Sequence, residues 1–184
     1  MVTHPSILLI EDSPGECELF HLALAQTGIN VTLYIEQDAE AAFRFLNHLA
    51  AHVPGCSPGE AAGVVSTARI EGAHSDRAHS ASTETMPAAS PSLPALILLD
   101  LNLRGQDGCD FLKRLRSDPR FTALPVVIFT TSDDPIDIAR CYASGANGYV
   151  VKPGTFAELV QCIHDICRYW IDRNRVLPMI GTPC

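Results

Sequence analysis

The sequence predicts an α/β fold: a doubly wound, five-stranded parallel sheet with helices on both faces and a long insertion between the second helix and the third strand. Three observations predict it. Short apolar runs alternate strictly with helical segments along the chain. The runs SILLI (6–10), ALILLD (95–100) and PVVIFT (125–130) are almost continuously apolar, as strands buried on both faces must be. One stretch, 48–93, breaks the alternation: 28 of its 46 residues are Ala, Gly, Ser, Pro or Thr and none is aromatic.

The elements follow in order. The first strand, 6–10, ends in Glu11-Asp12. Ser13-Pro14 then supplies a helix N-cap and a proline at the first helical position, and the helix stops at Gly28. Residues 30–35 read as the second strand, and 38–48 as a helix with Ala42, Phe45, Leu46 and Leu49 at helical spacing. The stretch 48–93 buries too little apolar surface to offset the entropy of ordering it, and it reads as a flexible insertion. Regular structure resumes with the strand 95–100 and the helix 107–116, then the strand 125–130 and the helix 135–144 closed by Gly145. A short strand, 147–151, precedes the last helix, 155–172, which opens on the capping box Thr155-x-x-Glu158.

A length of 184 residues fits one domain, 1–178, with a short tail, 179–184. The net charge of −8 argues against direct nucleic-acid binding, since nothing neutralises phosphates in bulk. No apolar run is long enough for a membrane span, and Met1–Ser6 shows no signal-peptide pattern. Seven cysteines in no metal or disulfide pattern suit reduced, buried thiols in a cytoplasmic protein. His48, His52, His74 and His79 lie in or beside the low-complexity stretch, where no metal site is expected.

Open doubly wound sheets bind ligands beyond the carboxyl ends of their strands. Here those ends carry Glu11 and Asp12, then Asp100, Thr130 and Lys152. Alone, Asp12 is as well explained as a helix cap, Asp100 as a loop acid, Thr130 as turn chemistry and Lys152 as a surface charge. Their convergence on one edge points further. Two carboxylates ~4 Å apart repel by about 4 kcal/mol at an effective dielectric of ~20, and a hard cation such as Mg²⁺ relieves that repulsion. With a lysine and a hydroxyl opposite, the set suits phosphoryl transfer, with Asp100 as the nucleophile.

These residues lie in the motifs ILLIEDS (7–13), LILLDLNL (96–103), PVVIFTTS (125–132) and GYVVKP (148–153). The chain thereby resembles the receiver domain of response regulators, the flavodoxin-like family that includes the chemotaxis regulator. The resemblance covers about 6–47 and 95–172. It implies a two-component response regulator that takes a phosphoryl group from a histidine kinase onto Asp100. It further implies that Asp12, Asp100 and the backbone carbonyl of Asn102 ligate Mg²⁺, with Glu11 acting through water. Lys152 would pair with the phosphoryl group, Thr130 and Tyr149 would form the switch, and Lys152-Pro153 would be a cis peptide. Arg104 stands where the family usually has proline, which leaves the shape of the loop after Asp100 open.

The tail RYWIDRNRVLP (168–178) resembles that of stand-alone regulators that partner phytochrome-type histidine kinases. In the last helix Leu159, Ile163, Ile166 and Trp170 form one apolar stripe, and Phe156, Val160, Cys167 and Ile171 a second. A helix on a sheet needs one, so the second is expected to be a homodimer surface. With no output domain in view, a downstream protein is expected to read the phosphorylated state. Enzymatic activity is expected only as the protein's own phosphorylation and dephosphorylation. A phosphatase of the haloacid-dehalogenase type would need a second acid where Asn102 stands. An inert pseudo-receiver would not need the complete acidic set, and a flavodoxin's flavin phosphate would be repelled by Glu11-Asp12.

Overall fold

The computed structural model describes residues 5–51 and 92–175. Most of the expected insertion, three of the four histidines considered above, and the tail 179–184 lie outside them.

Five parallel strands form the sheet in the order β2-β1-β3-β6-β7: β1 (Ser6–Ile10), β2 (Thr32–Glu36), β3 (Leu96–Leu99), β6 (Val126–Thr130) and β7 (Gly148–Val151). The chain winds one way from β1 to β2 and the other way from β1 to β3, so the crevice between β1 and β3 is the topological switch point. Register aligns Ile10 with Leu99, Leu99 with Ile128, and Thr130 with Val151. β1 and β3 therefore end level with each other, and β6 and β7 run two residues further in the same direction.

Alternate strand residues feed two cores. Ile97, Leu99, Val126 and Ile128 pack with α2 (Ala39–Ala51), α3 (Gly108–Ser117) and α4 (Pro135–Ala143). Leu96, Leu98, Val127 and Phe129 pack with α1 (Pro14–Thr27) and α5 (Phe156–Cys167). The N-cap of α1 is Ser13, whose hydroxyl accepts from the Glu16 amide, and left-handed Gly28 ends the helix. Helix α2 runs to Ala51, because Leu49 and Ala50 still face the core.

Three features differ from expectation. After Asp100 the chain makes a small antiparallel hairpin, β4 (Asn102–Leu103) with β5 (Gln106–Asp107), turning at Gly105 with φ of 70°. Asp107 then caps α3 by accepting from the Cys109 amide. The last helix ends in a π-helical turn, Arg168–Arg173.

Cys167 is not surface: it is fully buried, with Ile163 and Ile166, against the sheet. At about 100° per residue the two expected stripes merge into one face about 140° wide. Val160 and Ile171 flank that core contact, and Phe156 is the most exposed of the four.

Candidate functional site

The loops that follow β1 and β3 bring Glu11, Asp12 and Asp100 together. One carboxylate oxygen of each lies within 4.8 Å of the others. Glu11 and Asp100 are buried, and Asp12 is partly so. Local bonds hold two of the acids in place. Glu11 Oε1 accepts from the Ser13 amide at 3.0 Å, and Asp100 Oδ1 accepts from the Leu101 amide at 2.8 Å. This set of hard oxygen donors fits a divalent cation such as Mg²⁺ or Mn²⁺. Asn102, two residues past Asp100, is exposed at the start of β4.

Lys152 follows β7 and crosses above the sheet end. Its amide continues the ladder by donating to the Thr130 carbonyl at 2.7 Å. Its Nζ donates to Glu11 Oε2 at 2.6 Å, meets Glu16, and lies 3.6 Å from Asp100 Oδ2. The Nζ also sits 5.7 Å from the centre of the Phe129 ring. Burial raises the Glu11 carboxyl above its usual range, against the hydrogen bond from Lys152. Burial also opposes the Lys152 charge, but hydrogen bonds to Glu11 and Glu16 and the nearby Asp100 outweigh it, so the ammonium is held above its usual value.

The expected cis peptide at Lys152-Pro153 is corrected: the bond is trans, as is every peptide bond among the described residues. The trans form is favoured by about 0.5–1 kcal/mol even before proline, and the lysine reaches its partners in that form.

Thr130 ends β6 fully buried, and its hydroxyl makes no hydrogen bond among the described residues. An unpaired buried hydroxyl costs about 1–3 kcal/mol, so this one departs from the usual pairing of buried polar groups. Tyr149 is half-buried, and its phenol donates to the Ser132 carbonyl at 2.9 Å, two residues past Thr130. Its ring packs at the edge of the core shared with α3 and α4.

Two contacts escaped the sequence reading. Glu16, in the first turn of α1, pairs through its carboxylate with Lys152. Arg104, at the hairpin tip, places Nε 3.3 Å from Asp12 Oδ2. No local signal links residues 136 apart, as Glu16 and Lys152 are.

The family model for the response regulator receiver domain matches residues 61–164, a stretch that holds Asp100, Thr130 and Lys152. The response regulator Rcp1 of Synechocystis sp. is 28% identical over 166 residues, covering 90% of this chain and 88% of that one. The probable methanogenesis regulatory protein FilR2 of Methanothrix harundinacea is 39% identical over 84 residues, and the match spans about half of its length (54%). Among solved structures, the phosphorylated cyanobacterial phytochrome response regulator RcpA superposes with a TM-score of 0.68 at 26% identity, over 96% of this chain and 100% of that one. Rcp1 has also been solved in a Mn²⁺-bound form, with a TM-score of 0.65 at 25% identity over 95% of this chain and 99% of that one. The sheet order, the strand-end residues and the family match agree: the chain belongs to the response regulator receiver domain family of two-component signalling.

Proposed function

We propose that residues 1–178 form a single receiver unit in which Asp100 accepts a phosphoryl group from a histidine kinase. One observation carries this reading: Asp100 clusters with Glu11 and Asp12, and the Lys152 ammonium, bonded to Glu11, lies 3.6 Å from it. A carboxylate oxygen of Asp100 attacks phosphorus in line with the P–N bond of a phosphohistidine. That bond breaks, and its electrons leave with the imidazole, which takes up a proton. Lys152 then neutralises a phosphoryl oxygen, and Thr130 donates its unpaired hydroxyl to another.

Mg²⁺ fits the donor set of Asp12, Asp100 and the Asn102 carbonyl, with Glu11 acting through water; bound there, it would offset the charge on the phosphoryl oxygens. The chain acts as a phosphoacceptor rather than as a catalyst on a separate substrate. Its kinase is of the phytochrome type, a reading supported by the likeness to RcpA along nearly the whole chain.

Output runs through the edge formed by α4, β7 and α5. Five of the seven large exposed apolar side chains among the described residues lie on these elements or the turn that follows: Ile136, Tyr142, Val151, Phe156 and Tyr169. Such clustering marks a protein interface. It supports a homodimer through this face, with Phe156, Val160 and Ile171 at its border, and contact with a downstream protein. Drawing Thr130 toward a phosphoryl oxygen moves the end of β6, and the tie between Tyr149 and Ser132 passes that movement to the loop before α4.

The test is incubation with Mg²⁺ and acetyl phosphate, followed by intact mass and hydroxylamine treatment. The expected result is one hydroxylamine-labile phosphoryl group, absent from Asp100→Asn. Undiminished labelling of that variant refutes the reading.

A further inference from the structure

Helix α4 is tied to the domain by very little. Of its residues Pro135–Ala143, Cys141 alone is buried, while Ile136 and Tyr142 are 74% and 51% exposed. What Cys141 meets is a second thiol. Its Sγ lies 3.0 Å from Sγ of Cys109 in the first turn of α3, and both side chains are fully buried. The gap is about 1 Å longer than a disulfide bond. The same two helices are bracketed at the surface, where Arg140 pairs with Asp107 at 2.6 Å, and Asp107 caps α3 through the Cys109 amide. All five cysteines among the described residues are free thiols, and neither Cys109 nor Cys141 belongs to the acidic site.

We propose that Cys109 and Cys141 are a modification site: a low-molecular-weight disulfide oxidant converts them to an internal disulfide that staples α4 to α3. The closed pair is inert, because the thiolate is the attacking species and burial pushes the Cys141 thiol up to about 12. Reaction proceeds through opening of α4, whose sparse packing places it at the low end of local stability. Once exposed, Cys141 loses its proton to solvent and its sulfur attacks the oxidant disulfide, expelling one thiolate. As the helix closes, the deprotonated sulfur of Cys109 attacks the Cys141 sulfur of the mixed disulfide and expels the second. Two protein thiols are oxidised to one disulfide, and one oxidant disulfide is reduced to two thiols, which recover the two protons. The bond closes off the local opening of α4. Where α4 forms part of the output face, as proposed above, the staple acts on output without touching Asp100; the chemistry itself does not depend on the phosphoacceptor reading.

The experiment uses the full, reduced chain incubated with excess oxidised glutathione, then alkylation, intact mass and peptide mapping, with hydrogen exchange before and after. The expected product lacks two hydrogens, joins the peptides that hold Cys109 and Cys141, and reverts with dithiothreitol. Amide exchange in residues 135–143 is expected to slow at least about tenfold. In Cys109→Ala, Cys141 is expected to stop at the mixed disulfide with glutathione. If Cys109 and Cys141 stay reduced in the wild type after prolonged exposure, whichever other cysteines have reacted, the proposal is overturned.

Discussion

Gly108 is seated on the main chain of Asp100: a Cβ at position 108 would collide with the Asp100 carbonyl oxygen and stand 3.0 Å from the Leu101 α-carbon. The Gly108 amide donates to the Leu101 carbonyl at 3.0 Å, so the start of α3 and the end of β3 are locked together. Both neighbours are backbone and have little room to yield. Gly108→Ala is expected to cost about 1–3 kcal/mol in denaturant unfolding. It is also expected to lower phosphoryl uptake from acetyl phosphate, because the acceptor loop must shift. Unchanged values of both would show that the loop tolerates the methyl group.

Lys152 holds the acids together in the absence of a cation. Its side chain is 10% exposed and that of Glu11 only 3%. Lys152→Met is expected to destabilise the protein by on the order of 3 kcal/mol, since it leaves a buried charge without its partner. Added Mg²⁺ is expected to restore part of the loss, in melts run with and without the metal. Glu16, with a side chain 41% exposed, is a weaker partner. Glu16→Gln is expected to change stability by less than about 1 kcal/mol. Phosphorylation should become roughly 2–5-fold faster, because Lys152 is freer to serve Asp100.

Arg104 pairs with Asp12, one of the acids proposed above to hold Mg²⁺. The guanidinium side chain is 76% exposed, so solvent screens the pair heavily. Arg104→Ala is expected to tighten Mg²⁺ binding roughly 1.5–5-fold in calorimetry, the range of an exposed ion pair. Weaker binding would mean that the arginine supports the site instead of competing for it.

Glu36 gives stability a pH dependence. Burial at the end of β2, reinforced by Asp38 and only partly offset by Arg44, raises its carboxyl from 4.5 to about 7. The folded state therefore holds a proton that the unfolded state has already lost over this range. That contribution is complete below about 4.5 and fades as pH rises through 7. Glu36→Gln, neutral at every pH, is expected to raise the unfolding midpoint relative to wild type at pH 8, with little difference at pH 4. An equal shift at both values would assign the effect to packing.

The output edge is testable by association. Ile136→Asp and Phe156→Asp place charges at exposed positions and are expected to leave the fold intact while weakening dimers in sedimentation, with and without phosphodonor. Val160→Asp and Ile171→Asp are expected to weaken dimers too, but with some loss of stability, since both side chains also touch the core. Wild type that is monomeric at high concentration in both states would remove the dimer from the proposal.

Much of this architecture was legible from residue order. SILLI, ALILL and VVIF are short, almost wholly apolar runs that suit central strands, and the acids and lysine fall one or two residues past strand ends, with the hydroxyl on the last residue of β6, where the rule for open sheets places a site. What stayed hidden depends on contacts far apart in the chain or on geometry that pattern does not encode. The hairpin at 102–107 rests on two residue pairs and a left-handed Gly105, too little for a periodic signal. Cys167 looked like part of a second stripe because an apolar face 140° wide samples as two. The thiol contact of Cys109 with Cys141 joins helices that share no sequence motif.

The bond from Lys152 to Glu11 spans 141 residues. Neither half of the chain holds the acidic set and its counter-charge at once, so a ribosome still translating β6 carries the acids without the lysine that pairs with them. Glu11 can therefore meet its buried partner only once the residue after β7 has been made, and the charge balance of the acidic crevice is a property of the nearly finished chain.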